Sequence, residues 1–164
     1  MRILVTNDDG IEAPGLDALC RIAAHLSDDV TVVAPETNQS GKGHSLSLHN
    51  PLRMRKLTDR SYAVAGTPTD SVIMAVRHLM IAAPPTLILS GVNRGANMAE
   101  DMTYSGTIAA AFEGTLVGIR SIALSQAFGF EGKTPRWESA IAHGAGVIDK
   151  LLQLLWPAGP PLDL

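Results

Sequence analysis

Apolar and polar positions alternate along this chain with two different periods, and the periods change places several times. Residues 3–5, ILV, run straight into Thr6-Asn7-Asp8-Asp9-Gly10, and an unbroken apolar run predicts a strand buried on both faces. Leu16, Leu19, Cys20, Ile22, Ala23 and Leu26 then recur at helical spacing behind Pro14 and Gly15. Residues 30–34, VTVVA, read as a second short strand, stopped by Pro35. A polar, glycine-containing loop follows over 36–45, ETNQSGKGHS, the type of segment that carries function more often than packing. From 45 to 65 helical periodicity is lost, and SLSLH and SYAVA alternate as half-exposed strands do. They predict a small antiparallel excursion from the main sheet.

Gly66-Thr67-Pro68-Thr69-Asp70 carries the signals of a helix start. Thr67 would cap, Pro68 would take the first helical position and Asp70 would reach back to the cap, with the helix running to about Met80. Residues 86–89, TLIL, predict a strand that ends in Ser90-Gly91-Val92-Asn93. A helix is expected from Ser105-Gly106-Thr107 through IAAAFEGTL, then a strand over 119–124. The last helix, over 137–155, places Trp137, Ile141, Gly144, Ile148, Leu151 and Leu155 on one stripe. The repeated strand–helix order predicts one Rossmann-like, doubly wound α/β domain over residues 1–164, its mostly parallel sheet flanked by helices.

Composition narrows this picture mainly by exclusion. Of 164 residues, 46% are hydrophobic and 18% charged, which excludes a disordered chain. A net charge of −3 argues against a broad surface for a nucleic-acid polymer, while a small phosphorylated ligand needs only a local positive field. The single cysteine, Cys20, cannot form an internal disulfide and, with no signal peptide at the start, suggests a cytoplasmic protein. No apolar run approaches the ~18 residues of a membrane span.

The candidate chemistry lies at the ends of the strands. Ligands of open α/β sheets gather at the carboxyl ends of the strands, and Asp8 and Asp9 stand there. Two adjacent carboxylates repel unless a cation or a shared proton relieves them. Asn38-Gln39-Ser40-Gly41, Ser90-Gly91-Val92-Asn93 with Asn97, and Tyr104-Ser105-Gly106-Thr107 should meet them at one sheet edge. Carboxylates, a hydroxyl and an amide carbonyl are hard oxygen donors suited to Mg2+ or Mn2+, and zinc-type thiolate or histidine spacing is absent. The Ser105–Thr107 helix start offers N–H groups and hydroxyls to an anion. Taken singly, Ser40-Gly41 also reads as a plain turn, Ser105 and Thr107 as helix caps, and Asn93 as a strand terminator. Histidines 25, 78 and 143 and Cys20 read as structural; His44 and Glu113 lie near the clusters with structural roles favoured. Arg94 and Lys42 could attract an anion or simply be solvated.

ILVTNDDGIEAPGL, VVAPETNQSGKGHSLSL, GTPTDSV, SGVNRGANM and YSGTIAAAFEG, in this order from residue 3 to about 115, resemble the signature blocks of the SurE family, the stationary-phase survival proteins. The resemblance implies a metal-dependent phosphatase acting on nucleoside 5′- and 3′-monophosphates, some members also degrading short polyphosphate. It implies one divalent ion per subunit, Mg2+ or Mn2+, held by Asp8, Asp9, Ser40 and Asn93. Asn97, Ser105, Gly106 and Thr107 would contact phosphate; in direct hydrolysis Asp8 or Asp9 would orient or deprotonate the attacking water, an aspartyl-phosphate intermediate being the alternative. Family members assemble as homodimers or tetramers through a C-terminal segment that continues past the point where this chain stops. A second reading is therefore a catalytically impaired nucleotide- or phosphate-binding module of the same fold. A dinucleotide oxidoreductase is disfavoured, because NDDG stands where G-x-G-x-x-G would follow the first strand.

Overall fold

The computed structural model describes residues 1–128 and 135–154. Six strands form a single sheet: β1 (Arg2–Thr6), β2 (Asp29–Pro35), β3 (Met54–Thr58), β4 (Ser61–Val64), β5 (Leu87–Arg94) and β6 (Ser121–Gln126). Their order across the sheet is β3-β4-β2-β1-β5-β6. Every neighbouring pair is parallel except β3 with β4. The chain leaves β1 toward β2 on one side, then returns to place β5 on the other. The winding therefore reverses between β1 and β5, the position at which doubly wound sheets open a ligand crevice.

Strict alternation explains why the central strands are apolar throughout. Ile3 and Val5 of β1 and Leu87 and Leu89 of β5 face one core, while Leu4 and Ile88 face the other. Helices α1 (Pro14–Leu26) and α5 (Trp137–Leu152) close the first core with Leu19, Ile22 and Ile148, all fully buried. The second core is closed by α2 (Pro68–Met74), α4 (Gly106–Leu116) and the wider π-type turn Ala75–Leu79 that continues α2; Val72, Ala75 and Ala110 are fully buried there. A four-residue helix, α3 (Asp101–Tyr104), precedes α4. The apolar pattern gives out at Thr6 and Ser90, buried register partners, where the sheet reaches the crevice.

The excursion at 45–65 differs from its expectation in one half. β3 and β4 form the antiparallel pair, but residues 45–49, SLSLH, are not a strand. Their alternation is real and inverted: Leu46 and Leu48 are 49% and 78% exposed, and the serines turn inward. The Asp70 carboxylate accepts the Ser47 N–H (3.1 Å) and hydroxyl (2.7 Å), and the Thr67 hydroxyl donates to the Ser45 carbonyl (2.7 Å). Side chains at the α2 start thus take the backbone and hydroxyl groups that a neighbouring strand would otherwise have to satisfy. Two boundaries also move. β5 continues through Asn93 instead of ending before it, and the last strand begins at Ser121. The helix expected over 137–155 is seen as Trp137–Leu152, and position 155 lies outside the described residues.

Candidate functional site

The turn after β1 is tied by its own asparagine. Asn7 Nδ2 donates to the Gly10 carbonyl (2.8 Å) and its Oδ1 accepts the Gly10 N–H (3.3 Å). This turn projects Asp8 and Asp9 from the end of β1 into a cleft of about 520 Å3. The cleft is lined by Asp8, Asp9, Asn38, Ser40, Gly41, Asn93, Arg94, Ala96, Asn97, Asp101, Tyr104 and Ser105. Three segments far apart in sequence, 8–9, 38–41 and 93–105, therefore meet at the point where the sheet reverses its winding.

Asp8 is held by the first turn of α4. The Thr107 hydroxyl and backbone N–H both donate to its carboxylate, and Thr107 is fully buried. A Cβ at position 106 would come 2.6 Å from Asp8 Cβ, so only glycine allows α4 to sit this close. The Ser105 hydroxyl accepts the Ile108 N–H at 3.2 Å and caps the helix. Burial raises the Asp8 pKa, the Thr107 hydroxyl partly offsets this, and the neighbouring Asp9 charge raises it again. Asp8 is thus a carboxylate that its surroundings leave short of positive charge.

The remaining oxygen donors stand ready on the same cleft. Asn93 commits its Nδ2 to the Gly95 carbonyl (3.0 Å), which fixes the orientation of the amide that carries Oδ1. Asp9 accepts the Arg94 N–H at a long 3.4 Å. The loop carrying Ser40 is pinned by Gln39 N–H to the Asp8 carbonyl (2.7 Å) and by Ser40 N–H to Asn38 Oδ1 (2.8 Å). Among the described residues no three histidine, cysteine or acidic side chains cluster as a metal site. Two carboxylates with an amide and a hydroxyl form the oxygen set that suits a hard divalent ion which keeps some of its water. The residues present fit Mg2+ or Mn2+.

Of the residues singled out from sequence, Asp8, Asp9, Ser40, Asn93, Asn97 and Ser105 line the cleft. Gly106 and Thr107 do not; they lie behind Asp8 and support it. Asn97 Nδ2 donates to the Ser125 hydroxyl of β6 (2.7 Å), a partner that no local motif announces. Arg94 reaches the cleft, its guanidinium 6.0 Å over the Phe128 ring, whereas Lys42 lines a separate hollow beside Glu36 and Thr67. Asp101, missed in the sequence, enters on the short α3. His44 Nε2 pairs with Glu113 at 2.7 Å, and His25 sits on the Arg21 carbonyl (2.7 Å).

The fold and the cleft define a doubly wound α/β protein with an oxygen-lined crevice at its switch point. The particular family follows from sequence: the profile of survival protein SurE matches residues 3–163, and the chain belongs to the SurE family. It is 67% identical over 160 residues to the 5′-nucleotidase SurE of Azorhizobium caulinodans, covering 97% of this chain and 63% of the relative. With the 5′-nucleotidase SurE of Brucella anthropi it shares 60% identity, over 100% of this chain and 64% of the relative. The crystal structure of the SurE protein from Aquifex aeolicus superposes with a TM-score of 0.85 at 40% identity, covering 96% of this chain and 62% of that one. The chain thus spans somewhat less than two thirds of the length of these relatives.

Proposed function

We propose that this protein is a divalent-metal-dependent phosphomonoesterase that releases phosphate from nucleoside 5′- and 3′-monophosphates. The observation that carries the proposal is the buried Asp8, raised in pKa by burial and by Asp9, on one cleft with the oxygen-bearing side chains of Asp9, Ser40 and Asn93. The relatives bearing the name 5′-nucleotidase SurE support nucleoside 5′-monophosphates as substrates; the 3′-monophosphates rest on the resemblance alone.

Asp8, Asp9, Ser40 and Asn93 would hold Mg2+ or Mn2+, one per subunit. When bound, such an ion supplies positive charge for the phosphoryl oxygens and acidity for a water. Asp9, the more exposed of the two carboxylates, would orient an attacking water and take its proton. Asp8 holds its charge toward the cleft because Thr107 fixes one of its oxygens. The α4 start serves two anions. Thr107 is committed to Asp8, which leaves the cleft-lining Ser105, through its hydroxyl hydrogen, for the charge that builds on phosphate. Asn97 and Arg94 complete the polar rim on the β5 side.

The test is phosphate release from 5′-AMP and 3′-AMP with Mn2+, Mg2+ or EDTA, with short polyphosphate as a third substrate. Metal-dependent release is the expected result. No release from protein that binds Mn2+ would overturn the enzyme reading in favour of a phosphate-binding role.

A further inference from the structure

Glu113 is a carboxylate in the third turn of a helix otherwise built from small and apolar residues, and it is only 7% exposed. Burying such a group is costly unless it is paired and hydrogen-bonded. Its partner is His44, whose Nε2–H donates to Glu113 Oε2 at 2.7 Å across 69 residues of sequence. The His44 ring stands edge-on to Phe112, centroids 5.2 Å apart. One residue earlier the Gly43 N–H donates to the Tyr104 carbonyl (3.2 Å). These contacts fasten the far end of the 36–45 loop; the near end is fastened by Gln39 to Asp8.

The loop needs fastening. Gly41 and Gly43 both adopt positive φ, +77° and +55°, and residues 40–42 are exposed. Between the two anchors sits Ser40, which lines the cleft. The same helix that fixes Asp8 through its first turn therefore fixes the Ser40 loop through its third, about 10 Å further along at 1.5 Å per residue.

We propose that Glu113 and His44 are positioning residues, whose contact clasps the Ser40 loop to α4 and holds that hydroxyl at the cleft beside Asp8. The pair acts through Ser40 and touches no reacting atom. The consequence for catalysis rests on the phosphomonoesterase reading; the clasp itself does not.

Trypsin cleavage after Lys42, exposed in this loop, reads the clasp without any activity assay, and Arg53, whose carbonyl is pinned by the Ala65 N–H (2.9 Å), is the internal control. His44→Ala and Glu113→Ala should each speed cleavage at Lys42 roughly tenfold, and the double variant should be no faster than either, as groups that act as a pair do. Glu113→Gln, which keeps an oxygen to accept from His44 and much of the volume, should restore most of the slow rate even if Glu113→Ala folds poorly. The Mn2+ concentration giving half of the maximal thermal shift should rise in the same order, and so should that needed for phosphate release. Unchanged cleavage, additive effects, or a cleavage change with an unmoved Mn2+ midpoint would each overturn the proposal. A protein with the Mn2+ shift but no phosphate release would overturn the enzyme reading alone. With no Mn2+ shift in the unsubstituted protein, the holding of Ser40 for a metal would fall.

Discussion

At Asp8 burial and charge are in direct conflict, and the conflict has a measurable sign. Its pKa in the folded protein is raised above the unfolded value of 3.8. A raised acid contributes stability fully below its unfolded pKa and loses it as pH rises through the folded one. The metal-free protein should therefore lose stability as pH climbs from about 4 toward neutrality, whereas Asp8→Asn should flatten that slope. Thermal unfolding in EDTA across pH 4–8 checks it. Mn2+ should reverse the ranking: at a hundredfold excess over Kd it stabilises by about 2.7 kcal/mol, in the unsubstituted protein and not in the variant. Phosphate release by Asp8→Asn should fall by about two orders of magnitude or more, because several kcal/mol of transition-state charge stabilisation are lost. Gly106→Ala tests the close approach: a methyl 2.6 Å from Asp8 Cβ should displace the carboxylate, costing about 1–3 kcal/mol in urea unfolding and most of the activity. Cys20 is a contrasting residue. Burial and then Asp17 push its thiol up to about 11, so alkylation of the native protein at pH 8, with about 0.1% thiolate, should be far slower than after unfolding.

At the scale of elements, local sequence signals held wherever the groups they needed were neighbours in the chain. The α2 start is the clearest case: the Thr67 hydroxyl accepts the Asp70 N–H (3.1 Å) and the Asp70 carboxylate accepts the Thr67 N–H (2.8 Å), as Thr-Pro-Thr-Asp foretells. What the motif did not reveal is that Asp70 also bonds Ser47 twice. Asp70→Ala should therefore cost more than the ~1 kcal/mol of a lost cap, about 2–4 kcal/mol once the stranded Ser47 donors are included. Urea unfolding measures it, and a loss near 1 kcal/mol would mean that the Ser47 contacts contribute little. The misreading of residues 45–49 has the same origin. An alternating SLSLH pattern says that two faces differ but not which one faces the protein, and Asp70, more than twenty positions away, decided it for the serines.

At the scale of the whole molecule the two edges of the sheet differ. β3 closes one edge with exposed Arg55 and Lys56, the charges that discourage pairing with another chain. β6, residues SIALSQ, ends the other, and among the described residues no strand pairs with its outer side. Leu46, Leu48, Met98, Met102, Tyr104 and Phe112 add exposed apolar surface. Self-association that grows with protein concentration is the expected behaviour of such an edge, and sedimentation velocity over a concentration series checks it; a strict monomer throughout would contradict it.

The sequence by itself determined the alternation of core strands and helices outside the 45–58 excursion and the short α3, the parallel core, the α2 cap and the identity of the polar clusters, because each depends on periodicity or on groups within one turn of each other. The resemblance carried in five collinear blocks determined the family. Only the tertiary structure decided that Thr107 is committed to Asp8, that Asn97 rests on Ser125, and that Glu113 reaches His44. Those contacts span 28 to 99 positions, and no local pattern encodes a partner at that distance. They exist because the sheet reverses its winding between β1 and β5, bringing three distant segments to one crevice.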